Sequence, residues 1–294
     1  MDTSLTFLIT GGDLRQNFLA ERLAKQGIKV YTLGMSEDRP AEGCAVIHSL
    51  GELPFAPDVV VLPLVASNDG ETVNAPFSDK PILLKDVCKA LKSSSLIVGG
   101  KLSDGICDIF RQAGLEHADY FDREELIIEN CVPTAEGALQ IAIENTPVTI
   151  NGLKLMILGF GNVAKATARV FAALGAEVHI AARKQRDLAY AKTLGYHAQE
   201  ISSAINDPSG YDVVINTVPA VLLDREKLTK IGCDTLIIDL ASKPGGVDFE
   251  AAAQLRLKVI WALSLPGKTA PVTSGHIIAD TIINICRERG LFDV

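Results

Sequence analysis

Residues 155–186 read LMILGFGNVAKATARVFAALGAEVHIAARKQR. Four apolar residues run into the turn G-F-G-N-V-A (Gly159 to Ala164). A stretch with apolar positions at helical spacing follows, and after Gly175 a second β-branched run ends at Ala182. Strand, glycine turn, helix and second strand are the parts of a βαβ unit, and in that context the turn has a specific physical meaning. The first glycine makes the tight turn, and the second removes a side chain so that backbone N–H groups at the helix N-terminus can approach a pyrophosphate. The third position needs only to be small, because there the helix packs on the strand, and Ala164 is small enough. Gly159, Phe160, Gly161, Asn162 and Val163 are therefore expected to line a dinucleotide.

The second strand of such a unit usually ends on Asp or Glu when the cofactor is NAD, whereas an arginine there suits the 2′-phosphate of NADP. Here the position 19 residues beyond Ala164 is Arg183, with Lys184 and Arg186 behind it and no acid before Asp187. Guanidinium pairs with phosphate in bidentate fashion, so the expectation is NADP, with NAD less favoured.

The rest of the chain repeats the pattern. LTFLITGG, KVYTLG, DVVVLPL and SLIVGG read as strands in the first half, and DVVINTVP, TLIIDLAS and KVIWALSL in the second, with helical stretches between them. A stretch at the start aligns with the opening one at an offset of 148: Gly11 with Gly159, Ala20 with Ala168, Leu23 with Phe171, Gly27 with Gly175 and Val30 with Val178. Both duplication and the shared demands of any βαβ unit account for this, and either way two domains follow. In the first copy Asp13 replaces Gly161, and a carboxylate there blocks close approach and repels phosphate. The cofactor is expected in the second half only.

Composition narrows the class further. The chain has 294 residues, 48% of them hydrophobic, which suffices for two cores. A formal charge of −8 argues against a nucleic-acid or anionic-membrane surface, so local basic clusters read as sites for individual anions. Six cysteines lie scattered without a C-x-x-C pair, so neither a zinc site nor a disulfide framework is expected, and no metal is assigned. MDTSLTFLIT lacks the features of a signal peptide and no apolar run is long enough to span a bilayer, from which a cytoplasmic protein is expected.

Four motifs in order carry a family resemblance. They are G-G-D-x-R-Q (Gly11, Gly12, Asp13, Arg15, Gln16), N-x-x-P-T-x-E-G (Asn130, Pro133, Thr134, Glu136, Gly137), D-L-A-S-x-P-G-G-x-D-F (Asp239 to Phe249) and L-P-G-x-x-A-P-x-T-x-G (Leu265 to Gly275). Across essentially its whole length the chain resembles the dipicolinate synthase A-subunit family. The resemblance implies two Rossmann-like doubly wound domains of the formate/glycerate dehydrogenase type, with the last helix returning to the first domain. The expected boundaries are 1–132 plus 274–294 for the first domain and 133–273 for the nucleotide domain. It also implies formation of dipicolinate from 4-hydroxy-tetrahydrodipicolinate during sporulation, with NAD(P) and a flavoprotein-like B-subunit. The sequence is compatible with a homo-oligomer and leaves the oligomeric state open.

The implied substrate is a dicarboxylate, expected between the domains, which calls for cations or N–H donors. The candidates are Arg15, Lys243 and Lys268, together with Asn130, Thr134 and Thr273 at or near the starts of helices. Arg15 also has an ion pair with Asp13 open to it. Glu136, Ser242 and His276 are the candidate catalytic residues, although Glu136 also reads as an acid that stabilises a helix start. Thr217, Val218 and Pro219, then Asp239 and Ala241, end strands of the second domain on the edge that faces a nucleotide. Leu265 and Pro266 are expected to close the other side of the ring. Thr273 or Ser274 is expected to cap the last helix, and the polar stretch 66–81 reads as a lid or a disordered loop. No His–carboxylate or Lys–carboxylate pair has a recognisable catalytic spacing. Two other readings therefore stay open: a cofactor-binding scaffold whose partner performs the chemistry, and a dehydrogenase for another small 2-oxo or hydroxy acid.

Overall fold

Short, wholly apolar strands that a helix follows must be covered on both faces, and this requirement shapes the molecule. The computed structural model describes residues 5–292. In chain order the elements are β1 (Thr6–Thr10), α1 (Leu14–Lys25), β2 (Lys29–Leu33), β3 (Ala45–Ile47), β4 (Val59–Leu64), α2 (Leu84–Lys89), β5 (Leu96–Gly100), α3 (Asp104–Gln112), β6 (Glu116–Asp119) and α4 (Glu124–Glu129). The chain continues through α5 (Cys131–Asn145), β7 (Lys154–Leu158), α6 (Asn162–Ala173), β8 (Glu177–Ala182), α7 (Gln185–Thr193), β9 (His197–Glu200), α8 (Ile201–Asn206) and β10 (Val213–Asn216). It ends with α9 (Arg225–Leu228), β11 (Leu236–Asp239), α10 (Phe249–Gln254), β12 (Lys258–Trp261), α11 (Leu265–Thr269) and α12 (Pro271–Glu288).

Two compact units result, one up to Asn130 together with the residues from Ala270 onward, the other Cys131–Thr269. Each contains a six-stranded parallel sheet. Their orders are β3-β2-β1-β4-β5-β6 and β9-β8-β7-β10-β11-β12, so the two halves share one strand order. Val59 to Leu62 in the first unit, and Val213 to Ile215 with Leu236 to Ile238 in the second, have no exposed surface. The edge strands β3, β6 and β9 escape the sequence reading because AVI, EHAD and HAQE are short and partly exposed, with no sustained apolar run. Among the described residues no helix is long and apolar enough to cross a membrane.

The last helix belongs to the first unit. Ile277, Ile278, Ile282 and Ile285 of α12 enter one core with Phe7, Ile9, Leu19 and Leu23. Its start differs from expectation: Ala270 is the N-cap and Pro271 opens the helix, so Thr273 and Ser274 lie past the cap position, inside the helix. Proline fits this place because its missing N–H is one that no helix start can satisfy internally. The helix lies so close to α1 that a Cβ on Gly275 would stand 2.4 Å from the Arg15 carbonyl oxygen. Arg22 and Asp280 then clamp the pair through two 2.7 Å hydrogen bonds. Gly275→Ala should destabilise the first unit by about 1–3 kcal/mol, because overpacking outweighs the roughly 1 kcal/mol that alanine contributes to helix propensity. Urea denaturation checks this, and a stabilised variant would contradict the close approach.

The stretch 66–81 is neither a free lid nor disordered. Its amides are tied in: Val73 N–H donates to Ile82 O (2.8 Å) and Asn74 N–H to Ala66 O (2.9 Å), while Asn74 O accepts from Gly12 N–H (2.8 Å). Asp69 organises the bend, its carboxylate held below the usual range by the Thr72 hydroxyl and then by the amides of Thr72 and Glu71. Val73 and Asn74 thus sit against the Gly11–Gly12 turn, where a Cβ on Gly11 would come within 2.9 Å of Val73.

Candidate functional site

At the end of β7, Gly159 has φ +101°, a conformation that L side chains rarely adopt. A Cβ there would also meet the Thr217 hydroxyl at 2.4 Å and the Val218 side chain at 3.0 Å. Thr217 closes the corner by donating its hydroxyl (2.8 Å) and its amide (3.0 Å) to the Leu158 carbonyl. The turn following β7 and the loop leaving β10 are therefore packed into one structure at the carboxyl edge of the sheet.

Gly161 is the N-cap of α6, and no side chain caps this helix. The first amides of a helix have no partner within it, and here no acid stands in the first turn. Gly161 is exposed, and a Cβ on it would enter open space. Ala164 is fully buried under the helix. An exposed, uncapped helix start with a side-chain-free approach fits a pyrophosphate. Asn162 is exposed and Val163 half-buried beside it, whereas the Phe160 ring turns into the core and packs on Tyr190 at 6.2 Å. Phe160 can offer a ligand its backbone but not its ring.

The corresponding turn of the first unit is closed by its own residues. Asp13 caps α1 and accepts two 2.8 Å hydrogen bonds from Arg15, whose guanidinium also donates to the Leu64 carbonyl at 3.0 Å. Arg15 is 7% exposed, at the second position of the helix. Burial and the bidentate pair make Arg15 a holder of the Asp13 turn, the ion-pair reading that the sequence left open beside that of a substrate cation.

Beyond β8, Arg183 and Lys184 are exposed, and among the described residues neither has a salt-bridge partner. Arg186, also exposed, pairs with Asp187 at 3.3 Å. Two cations thus stand free where the adenosine ribose is met in this fold.

Behind the loops lies a buried carboxylate. Asp239 has no exposed surface, and Oδ1 accepts from Asn216 Nδ2 (2.7 Å) and Ala241 N–H (3.0 Å), while Oδ2 accepts from Gly246 N–H (2.7 Å). Asn216 Nδ2 also donates to the Val218 carbonyl at 2.9 Å. Asp239 therefore positions both loops and has no free oxygen edge for a ligand, which corrects its expected role as a cofactor contact. Ala241 is buried with it, its carbonyl accepting from Trp261 Nε1 at 3.0 Å. Trp261 was missed in the sequence reading, although a lone tryptophan ending a strand is a usable signal. Thr217 and Val218 are half-buried at the edge, and Pro219, Ser242 and Lys243 are exposed in the same loops.

The remaining candidates fall elsewhere. Leu265 and Pro266 are buried in α11, with Leu265 in the second unit's core, so their side chains pack the domain where a loop over the ring was expected. Lys268 is exposed on the same short helix. Helix α5 begins at Cys131, which places Thr134 within its first turns and Glu136, exposed, beyond the first turn where an acid would be favoured. Asn130 ends α4, and Thr273 is exposed at the start of α12. His276 faces Arg22, Lys25, Glu21 and Asp280; burial and then Arg22 push its pKa down. Glu21, Arg22 and Lys25 lie in the second half of α1 and Asp280 on α12 itself, so His276 flanks the Arg22–Asp280 ion pair. Arg15, Asn130, Thr273 and His276 belong to the first unit, and Thr134, Glu136, Ser242, Lys243 and Lys268 to the second.

Comparison with known proteins agrees with this geometry. Residues 6–121 match the family profile of the dipicolinate synthase A-subunit N-terminal domain, and residues 135–248 that of the D-isomer specific 2-hydroxyacid dehydrogenase NAD binding domain. The dipicolinate synthase A-subunit of Bacillus subtilis (strain 168) is 33% identical over 293 residues, 98% of each chain. The crystal structure of that A chain superposes with a TM-score of 0.86 at 32% identity, covering 98% of this chain and 97% of that one. The A-subunit of the synthase from Bacillus halodurans does so with 0.88 at 31%, covering 97% and 98%. A transhydrogenase from Sinorhizobium meliloti, 13% identical with a TM-score of 0.71 over 96% and 94% of the two chains, shares the fold. The second unit is thus a nicotinamide-dinucleotide-binding domain of the dehydrogenase type, and the chain belongs to the dipicolinate synthase A-subunit family.

Proposed function

We propose that the chain is the NADP-linked oxidoreductase component of a dipicolinate synthase, forming pyridine-2,6-dicarboxylate from 4-hydroxy-tetrahydrodipicolinate by way of the dihydro compound. The observation that carries the cofactor choice is the pair of unpaired cations, Arg183 and Lys184, beyond the strand next to the Gly159–Gly161 turn. The names of its relatives support the product and, being those of an A-subunit, the existence of a partner; a flavoprotein-like B-subunit is the partner proposed here.

Loss of water from the precursor, then of a hydride and a proton, leaves an aromatic ring. When bound, the oxidised nicotinamide supplies the hydride acceptor. Because aromaticity drives the step, the residues of this chain mainly bind and orient. The amides at the start of α6 hold the diphosphate, Arg183 takes the 2′-phosphate with Lys184 beside it, and Thr217 and Val218 line the carboxyl edge. Asn216 and Asp239 keep those loops in place from behind. Exposed Lys243, with Ser242 beside it in the loop after β11, is a cationic candidate for a substrate carboxylate in this unit, and exposed Lys268 a second.

Arg183→Ala should lower the ratio of NADP to NAD affinity by about tenfold or more, because a bidentate charge-assisted contact exists only for the phosphorylated ribose. Fluorescence titration with both cofactors checks this, and an unchanged ratio would remove the NADP assignment. For the reaction, the purified chain should reduce NADP in the presence of the freshly dehydrated precursor, alone or with the B-subunit. Absence of turnover in both arrangements would sink the oxidoreductase reading. Binding of NADP with turnover confined to the B-subunit would replace it with the scaffold reading.

A further inference from the structure

Strand pairing assembles a second chemical group in the nucleotide-binding unit, away from the glycine turn. Glu177 opens β8 at the amino edge of the sheet, and His179, two residues on, projects from the same face. Parallel pairing sets His197 of β9 directly opposite His179. The two imidazoles stack at 4.5 Å with 17° between their planes, and the Tyr211 ring meets His179 edge-on at 5.2 Å. Both Nε2 atoms face one carboxylate oxygen, Glu177 Oε1, at 2.9 Å from His179 and 3.7 Å from His197.

We propose that Glu177, His179 and His197 bind a divalent transition-metal ion of the zinc class. Imidazole nitrogen and carboxylate oxygen suit zinc, nickel and copper, and three protein ligands with water in the fourth position are a common open site. Zn–N and Zn–O bonds of about 2.0–2.2 Å place neighbouring ligands of a tetrahedral ion roughly 3.3–3.5 Å apart. The observed 2.9 and 3.7 Å bracket that separation, and one ligand atom from each residue lies within 4.8 Å of the others. Stacked rings cannot both aim an in-plane lone pair at one ion, so seating it requires the His197 imidazole to turn out of the stack, and that side chain, 64% exposed, has room for the turn. Among the described residues this is the only such set of three His, Cys, Asp or Glu side chains. An ion here would cross-link β8 to the edge strand β9, the least apolar pair of the sheet, and so stabilise that edge in proportion to its occupancy.

The test is isothermal titration of the full chain with zinc chloride, without added nucleotide, paired with NMR of the histidine side chains. The expected result is one saturable site that shifts the imidazole signals of His179 and His197 and leaves those of His48, His117 and His276 in place. His197→Ala, a change at an exposed side chain, should weaken that site by at least about tenfold with unchanged folding in the absence of metal. Zinc bound by thiols would appear equally in both proteins. Equal binding by the two proteins, signals of His179 and His197 that do not move, or no binding to the unmodified chain at millimolar zinc would each overturn the proposal.

Discussion

Gly161→Asp is expected to leave the second unit folded and to weaken dinucleotide binding by at least about 100-fold, close to 3 kcal/mol. The two halves of this expectation have separate causes. A Cβ at Gly161 meets nothing, its φ of −79° suits any residue, and aspartate is a good N-cap, so the fold gains if anything. A carboxylate about 4 Å from a phosphate, however, costs on the order of 4 kcal/mol at an effective dielectric of about 20, and it would also take the amides the phosphate needs. Gly161→Ala separates charge from bulk, and its smaller loss would measure steric approach alone. Thermal denaturation and cofactor titration on the same samples decide the matter. An aspartate variant that binds NADP and NAD like the parent would remove the phosphate cradle from this turn.

Asp239→Ala is expected to cost the second unit about 3–5 kcal/mol, since it strands the buried amides of Ala241 and Gly246 at about 1–3 kcal/mol each and loosens Asn216. Gly246 is packed so closely on Asn216 that no side chain could replace the lost support, as a Cβ there would fall 2.1 Å from Asn216 Nδ2. Asp239→Asn keeps the shape but presents an NH2 group to at least one donor, and should lose an intermediate amount. Urea denaturation reads both. If Asp239 instead touched the cofactor directly, the alanine variant would lose affinity with its stability intact, and that outcome would reverse the role assigned here.

The readable part of the site was the part written in consecutive residues. Gly159, Gly161 and Ala164 hold positions fixed by local backbone geometry, and Arg183 stands directly after the next strand, so spacing alone reached the turn, the helix start and the strand end. Residues whose roles depend on distant partners were misread. Asp239 looked like a cofactor contact because it ends a strand, yet its two oxygens are consumed by Asn216, Ala241 and Gly246. Leu265 and Pro266 looked like a loop over the ring, yet they form α11 on the core, opposite Gly137, where a Cβ would come within 3.1 Å of Leu265. Thr273 has the residue type of a cap, yet the helix starts two residues earlier, at Pro271.

Sequence by itself determined two parallel-sheet domains and put the nicotinamide-dinucleotide-binding domain in the second half, the half that carries the Gly159 turn. Those conclusions follow from apolar periodicity and glycine positions, which act over one or two turns of chain. Tertiary structure alone decided that Val73 and Asn74 cover the Gly11–Gly12 turn, that Arg15 is committed to Asp13 and Leu64, and that His197 stands beside His179 although 18 residues separate them. Burial, hydrogen-bond satisfaction and strand register are set by which segments meet, and a linear pattern does not contain that information until the sheet has formed.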